Sequence, residues 1–474
     1  MNSDGFTGAL SRRLAVGLLA GASLAAWAAP RPEILLSPPD DLSRGFGNDL
    51  VSGFALDASG SVVPAAYLRS WSEGRQAYVL WVTDGTAAGT HLAATVSVGE
   101  PGAPMLFATG SVGAFFIGHD DQAGWQVFRT NGPASSAHVL TNIPEEVSGI
   151  VGVIDGKAII SKQRPDLSAD LFAVDPDTGA LSDLGHAAGR YPNAFATRDA
   201  VITVAQPVAP QTGYIVTSFA QGGGSTALPV PPPNVEWDYP HALGGSARLM
   251  CAKAYTHYPS TTVAELYCSD GTVAGTCRPT PSGMGMRLLD NVEFYPMGDR
   301  VLFQGMLNNV PPRLLWSTDG TDAGTQALTQ SGIDDYPPCT DGPNGAYFIT
   351  GDNGGESGQS RLFITHTDGT TAGTRTILQL PNTSGLCGTL GVEASRTGIA
   401  YLPVGTTLYR SDGTPAGTYP IDGAPMLRPS ASSRAHSMGI VDRWLVFVAF
   451  DEEDRGVLWR LDLDPIFTNG FDGS

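Results

Sequence analysis

Lysine is nearly missing from this chain of 474 residues: Lys157, Lys162 and Lys253 stand against a formal charge of −19. An acidic surface with no basic stripe repels phosphate backbones and anionic bilayers, which excludes nucleic acid as a partner. Beyond residue 30 no stretch approaches the roughly 18 consecutive apolar residues of a membrane span, so no membrane insertion is expected once the N-terminus is removed. Cysteine is absent from the first half of the chain. No Cys-x-x-Cys pair marks a zinc or redox site. No Gly-x-Ser-x-Gly elbow offers a nucleophile. The eight histidines are scattered without a recurring partner, and Gly222 to Gly224 precede no helical pattern that would make them a phosphate loop. These absences remove most catalytic classes.

What is there is glycine (59), proline (35) and 42 % hydrophobic residues. That mixture describes many short strands joined by tight turns rather than a disordered polymer. At the start, Arg12 and Arg13 precede an apolar run from Leu14 to Ala26, and Ala26-Trp27-Ala28 places small residues where a signal peptidase reads. Residues 1–28 are therefore expected to be a secretory signal, with an uncleaved anchor as the alternative. The destination is the periplasm, the cell surface or the medium. In an oxidising compartment some of Cys251, Cys268, Cys277, Cys339 and Cys387 should pair. Cys268 and Cys277 flank one hairpin turn, while Cys251 competes for Cys268 from the preceding strand. Cys339 and Cys387, about one repeat apart, are placed to link neighbouring units. One thiol is left over in any scheme.

Self-similarity is the dominant signal. Four copies are nearly identical: LWVTDGTAAGT at 80–90, LYCSDGTVAGT at 266–276, LWSTDGTDAGT at 315–325 and LYRSDGTPAGT at 408–418. A fifth, TDGTTAGT, lies at 367–374. Weaker copies run from Val127 to Gly132, from Leu171 to Gly179, from Tyr214 to Gly224, and from Leu458 to Asp462. Nine turns follow at steps of 44 to 50 residues. So even a period suits a four-stranded propeller blade. In each unit an apolar pair ends a strand, Asp accepts from amides two residues on, and Gly reverses the chain. Short aromatic and β-branched runs half a unit earlier, such as Arg300 to Phe303 and Trp444 to Val448, read as the inner strands.

These residues resemble the ELWxxDGTxxGT repeat family of secreted bacterial proteins. The resemblance covers most of residues 50–464 and is close in five of nine units. It implies a propeller and is nearly silent on activity, because the shared residues belong to turns and core. The family's leading Glu occurs here only as Glu265. The expected fold is all-β: one large β-propeller of about 8–9 four-stranded blades over residues 29–464, followed by a short tail, 465–474. The last unit lacks an outer strand, and Ile34 to Leu36 is expected to supply it and close the ring. The tail from Ile466 to Asp472 resembles a short terminal tag of secreted bacterial proteins, with a last strand end as the alternative.

Candidate sites are few. The aspartates of the five turns (Asp84, Asp270, Asp319, Asp368, Asp412) invite a calcium reading, yet calcium needs six to eight oxygens together and each turn offers one carboxylate. Turn capping is favoured, and no cofactor is expected. Trp81, Trp316 and Trp459 share one repeat position, which argues for packing rather than sugar stacking. The acidic run from Asp451 to Asp454 reads as a solvated hairpin tip. His119, Asp120 and Asp121 form a local cluster able to contribute to a metal site. Trp237, Tyr239 and His241, in a proline-stiffened loop unlike its counterparts, are the candidate ligand-binding residues.

The leading expectation is a non-enzymatic extracellular module binding a protein, a surface or a carbohydrate. The alternative is a hydrolase or lyase acting on polysaccharide, with acids gathered at the channel. The mark of the alternative is a pair of non-repeat Asp, Glu or His side chains within hydrogen-bonding reach at one face. A purely binding role expects none.

Overall fold

The computed structural model describes residues 31–463, apart from 47–48, 57–58, 60, 97–105, 109–112, 121–123, 131–137, 142–146, 209–213, 230–234 and 238–242. Also outside the description are 259–260, 280–285, 290–291, 308–309, 330–339, 343–344, 353–360, 381–397, 426 and 428–437. The signal-like segment and the terminal tail therefore lie outside the described residues.

The described chain is all-β, with no helix among the described residues. Its strands form nine antiparallel sheets in chain order. The first comprises Asp49–Leu56, Val62–Ser72, Ala77–Thr83 and His91–Val96, each pairing with the next. The third comprises Gly149–Ile154, Lys157–Gln163, Ala169–Val174 and Leu181–Ala187. In the first sheet the repeat turn joins the third strand, Ala77–Thr83, to the fourth, His91–Val96. Even the weakest copy of the motif, ending at Gly224, completes a four-stranded sheet from Arg190–Ala196 to Ser225–Ala227. The runs read from sequence as inner strands, Arg300 to Phe303 and Trp444 to Val448 among them, lie in Arg300–Leu307 and Trp444–Phe450, strands paired on both sides within their sheets. Their strong apolar character reflects burial on both faces.

The ninth sheet, Met438–Val441, Trp444–Phe450 and Gly456–Asp462, receives its fourth strand from the other end of the chain. Glu33–Leu36 pairs antiparallel with Gly456–Asp462, and Glu33 meets Arg460 at 2.7 Å. The expected donor strand is where the sequence placed it.

Side chains alternate along a strand, so one strand feeds two interfaces. Val301 and Phe303 pack toward the fifth sheet with Leu266 and Cys268, while Leu302 packs toward the seventh with Phe348. Tyr67 packs with Phe116 of the second sheet, and Ala66 and Leu68 pack with Val446 and Val448 of the ninth. Every pair of successive sheets shares such a core, and the ninth shares one with the first. The apolar interfaces thus form a cycle. Trp316 is fully buried against Phe303, Trp81 meets Phe46 edge-on at 5.4 Å, and Trp459 joins the core between the eighth and ninth sheets. Their shared position serves packing.

Candidate functional site

The repeat turns spend their polar groups on themselves. Asp84 Oδ1 accepts from Thr86 N at 2.8 Å and from Thr86 Oγ1 at 2.6 Å. Thr86 Oγ1 in turn accepts from Gly89 N, and Thr90 Oγ1 donates to Thr86 O. Thr83 Oγ1 accepts from Gly85 N. The same set recurs around Asp270, Asp319, Asp368 and Asp412. These bonds are the capping expected of the aspartates from their place in the turn.

Both glycines of the motif have steric causes. A Cβ on Gly324 would meet the Asp319 carboxylate at 2.0 Å. The first glycine lies at positive φ (88° at Gly320) and abuts the preceding sheet, where Leu249 would meet its Cβ. Gly85 abuts Trp444 of the ninth sheet in the same way, and its carbonyl accepts from Arg460 Nη1 at 2.8 Å.

The opposite end of the third sheet holds polar groups of another kind. Residues 164–168 connect Lys157–Gln163 to Ala169–Val174 in a closed loop, with Arg164 N donating to Ser168 O and Leu167 N to Arg164 O. Asp170 lies opposite Lys162 on one side and His186 on the other. One Asp170 oxygen accepts from Arg164 Nε at 2.7 Å, and the other is 3.0 Å from His186 Nδ1. Partial burial works against the charge on Asp170. The hydrogen bonds from Arg164 and His186 outweigh it and hold the carboxyl below its usual range. Asp166 is lowered by hydrogen bonds from the Ser168 hydroxyl and amide. Tyr191 donates its amide to Leu167 O and exposes 45 % of its surface. Leu167 and Tyr191 both sit at positive φ, 71° and 52°, which bulky residues seldom adopt. Such outliers gather at functional sites.

The sequence candidates fare differently. His119 and Asp120 end the strand Ala114–Asp120, opposite Trp125 and Gly124, and Asp121 lies outside the described residues. Trp237 lies on Val235–Trp237 opposite Ala254, while Tyr239 and His241 lie outside the described residues. Among the described residues no group of three or more His, Cys, Asp or Glu is arranged to hold a metal ion. The run from Asp451 to Asp454 is a hairpin tip, with Asp451 accepting from Glu453 N and Arg455 N. Of the two pairings open to Cys268, the protein uses Cys251, directly opposite on the neighbouring strand, and Cys277 keeps a free thiol. Cys339 and Cys387 lie outside the described residues.

Asp170 and His186 were not singled out from sequence. The hairpin around the eroded turn pairs Val174 with Leu181, and a register shift between Leu171 and Phe172 brings His186, rather than Gly185, opposite Asp170.

No protein-family model matches the chain, and no curated protein matches it. Solved structures are similar in fold at low identity. An oligogalacturonate lyase in complex with manganese is 12 % identical, with 77 % of this chain and 98 % of that one covered at a TM-score of 0.36. The β-propeller domain of the trilobed protease from Pyrococcus furiosus is 10 % identical, with 71 % and 93 % covered at 0.36. A eukaryotic initiation factor is 9 % identical, with 79 % and 96 % covered at 0.44.

Proposed function

We propose that the nine sheets are the blades of one closed β-propeller, exported from the cell, that acts there as a binding module for a glycan or a protein surface. Three features support the architecture: the N-terminal strand on the ninth sheet, the core shared by the ninth and first sheets, and the contact of Gly85 with Trp444. The signal-like residues 1–28, the Cys251–Cys268 disulfide and the acidic surface support export. The chain is read as a member of the ELWxxDGTxxGT repeat class.

One observation carries the functional reading. The turn end of the sheets engages its aspartates within the turns, whereas the 164–168 end exposes His186, paired with Asp170, and Tyr191, whose amide is tied to Leu167 O and whose ring has the Arg190 guanidinium over it at 5.8 Å. An aromatic face next to fixed donors and acceptors suits a sugar ring or a protein side chain.

The Asp170–His186 pair also favours a second reading, a hydrolase or lyase acting on polysaccharide. Two non-repeat titratable groups within reach are the mark set for it above, so a role that excludes chemistry no longer accounts for every group. Binding ranks first because both Asp170 oxygens are engaged, by Arg164 and His186, and Asp166 is engaged by Ser168. Neither carboxylate is left as a poised acid or base.

The test is a glycan array probed with the mature protein and with Asp170→Asn and His186→Ala. Binding that falls at least about tenfold (about 1.4 kcal/mol) in both variants supports the site. New reducing or unsaturated ends on incubation with a bound polysaccharide, lost in both variants, would move the second reading to first place. Wild-type binding that both variants retain removes this site from the proposal.

A further inference from the structure

Three cysteines stand in one cross-strand row of the fifth sheet. Cys251 on Met250–Tyr258 lies directly opposite Cys268 on Thr261–Ser269. On its other side Cys268 lies opposite Cys277, and the two exchange both backbone N–H···O bonds at 3.0 Å. Residues directly opposite in an antiparallel sheet present their side chains on the same face. Here that face is the one toward the sixth sheet. Cys251 and Cys268 belong to the core with Phe303 and Trp316, and the Cys277 thiol donates to Gly320 O. The order along the row is Cys277, Cys268, Cys251, and the disulfide occupies the last two places.

Thiol–disulfide exchange proceeds by attack of a thiolate on one sulfur while the other departs. The departing sulfur leaves on the side away from the attacker, so a thiol on the strand position across Cys268 from Cys251 approaches from the side the step requires. Cys277 sits on the side of Cys268 away from Cys251. We propose that Cys277 is a resident exchange thiol that transfers the disulfide of the fifth sheet from Cys251–Cys268 to Cys268–Cys277.

The Cys277 thiolate attacks Cys268 Sγ, a bond forms between them, and the bond from Cys268 to Cys251 breaks. Cys251 leaves as a thiolate and takes up the proton that Cys277 gave up. Nothing is oxidised or reduced overall, and no outside reagent is needed. The tether moves from between Met250–Tyr258 and Thr261–Ser269 to between Thr261–Ser269 and the segment beyond the Asp270 turn, closing that turn covalently. The observed pairing is Cys251–Cys268, and the exchange leaves the free thiol at Cys251, which has no solvent exposure. Burial, followed by Asp322, Asp270 and Asp319, pushes the Cys277 thiol up, so the exchange is slow near neutral pH and speeds up in alkali.

Peptide mapping without reduction tests this directly. Cleavage after Arg248, Lys253 and Arg287 separates Cys251 (residues 249–253) from Cys268 and Cys277 (residues 254–287). In wild-type protein held at alkaline pH, quenched in acid and alkylated, a growing fraction of 249–253 should carry the label while 254–287 becomes internally linked. In Cys251→Ala the internal link should be the main product of oxidising expression. Label confined to Cys277 after prolonged alkaline incubation overturns the proposal, as does Cys251→Ala in which Cys268 and Cys277 both remain alkylatable. The wild-type measurement decides alone where the variant fails to fold.

Discussion

Two turns at opposite ends of the sheets use the same local chemistry and differ in the character of one residue, the middle one. In Asp84-Gly85-Thr86 the aspartate accepts from the amide and hydroxyl of the residue two places on, and the middle residue has φ 83°. In Asp166-Leu167-Ser168 the aspartate does the same, and the middle residue has φ 71°. One middle residue is glycine and the other is leucine. The dihedral alone does not account for the glycine, since leucine tolerates it at a cost of order 1–3 kcal/mol. The neighbouring sheet does: a Cβ on Gly85 would lie 2.5 Å from the Trp444 ring. Where one sheet abuts the next, the turn is confined to a single residue. Where the end is open, side chains are free to vary, and there the molecule keeps His186 and Tyr191.

The largest effect should come from the contact on which the confined end depends. Deleting residues 30–40 removes Leu35, worth about 1.5–3 kcal/mol of burial, together with its ladder and the Glu33–Arg460 pair. A fall in Tm of roughly 5–10 °C is expected by calorimetry. An unchanged melt would show that the ninth sheet needs no donor strand, and the ring with it.

Next in size is the glycine contrast itself. Gly85→Ala should cost about 2–3 kcal/mol in urea denaturation, from the forced dihedral and the Trp444 contact. Leu167→Gly should stay within about 1 kcal/mol, since relief of strain offsets added freedom in the unfolded chain. Equal costs for the two would break the comparison.

A smaller effect is set by pH. Hydrogen bonds from Thr370 and Thr414 hold Asp368 and Asp412 below the usual carboxylate range. A folded-state value below the unfolded one adds stability at pH above the unfolded value, near 3.9. That stability is lost as pH falls through the folded value. Stability should therefore decline below about pH 5, and Asp368→Asn with Asp412→Asn should flatten the decline while lowering stability at neutral pH. A slope unaltered in the double variant would mean that capping charge does not matter there.

Smallest of all should be the stability effect of changing the open end. His186→Ala removes one partner from an exposed cluster and should shift unfolding by no more than about 0.5 kcal/mol. A large loss would mark the cluster as structural and count against its role in binding.

The repeat turns were legible because every bond that defines them lies within eight residues, from Thr83 to Thr90. The donor strand was legible for a different reason: Ile34 to Leu36 had no partner in its own unit, and Leu458 lacked one at the other end. The Asp170–His186 pair was not legible, because the turn between them had lost the motif that would have fixed their register. Trp237 and His119 drew attention as local clusters, whereas the described polar site is assembled across three strands.

Local sequence alone thus determined the seven-residue Asp-Gly-Thr-x-x-Gly-Thr turns and the strands they punctuate, since those interactions close over short stretches of chain. Which cysteine joins Cys268, which aspartate meets His186, and why Trp444 lies against Gly85 were decided only in three dimensions. Each of those depends on strand register or on the approach of one sheet to another, and residues far apart in the chain, Glu33 and Arg460 among them, meet only once the sheets have assembled.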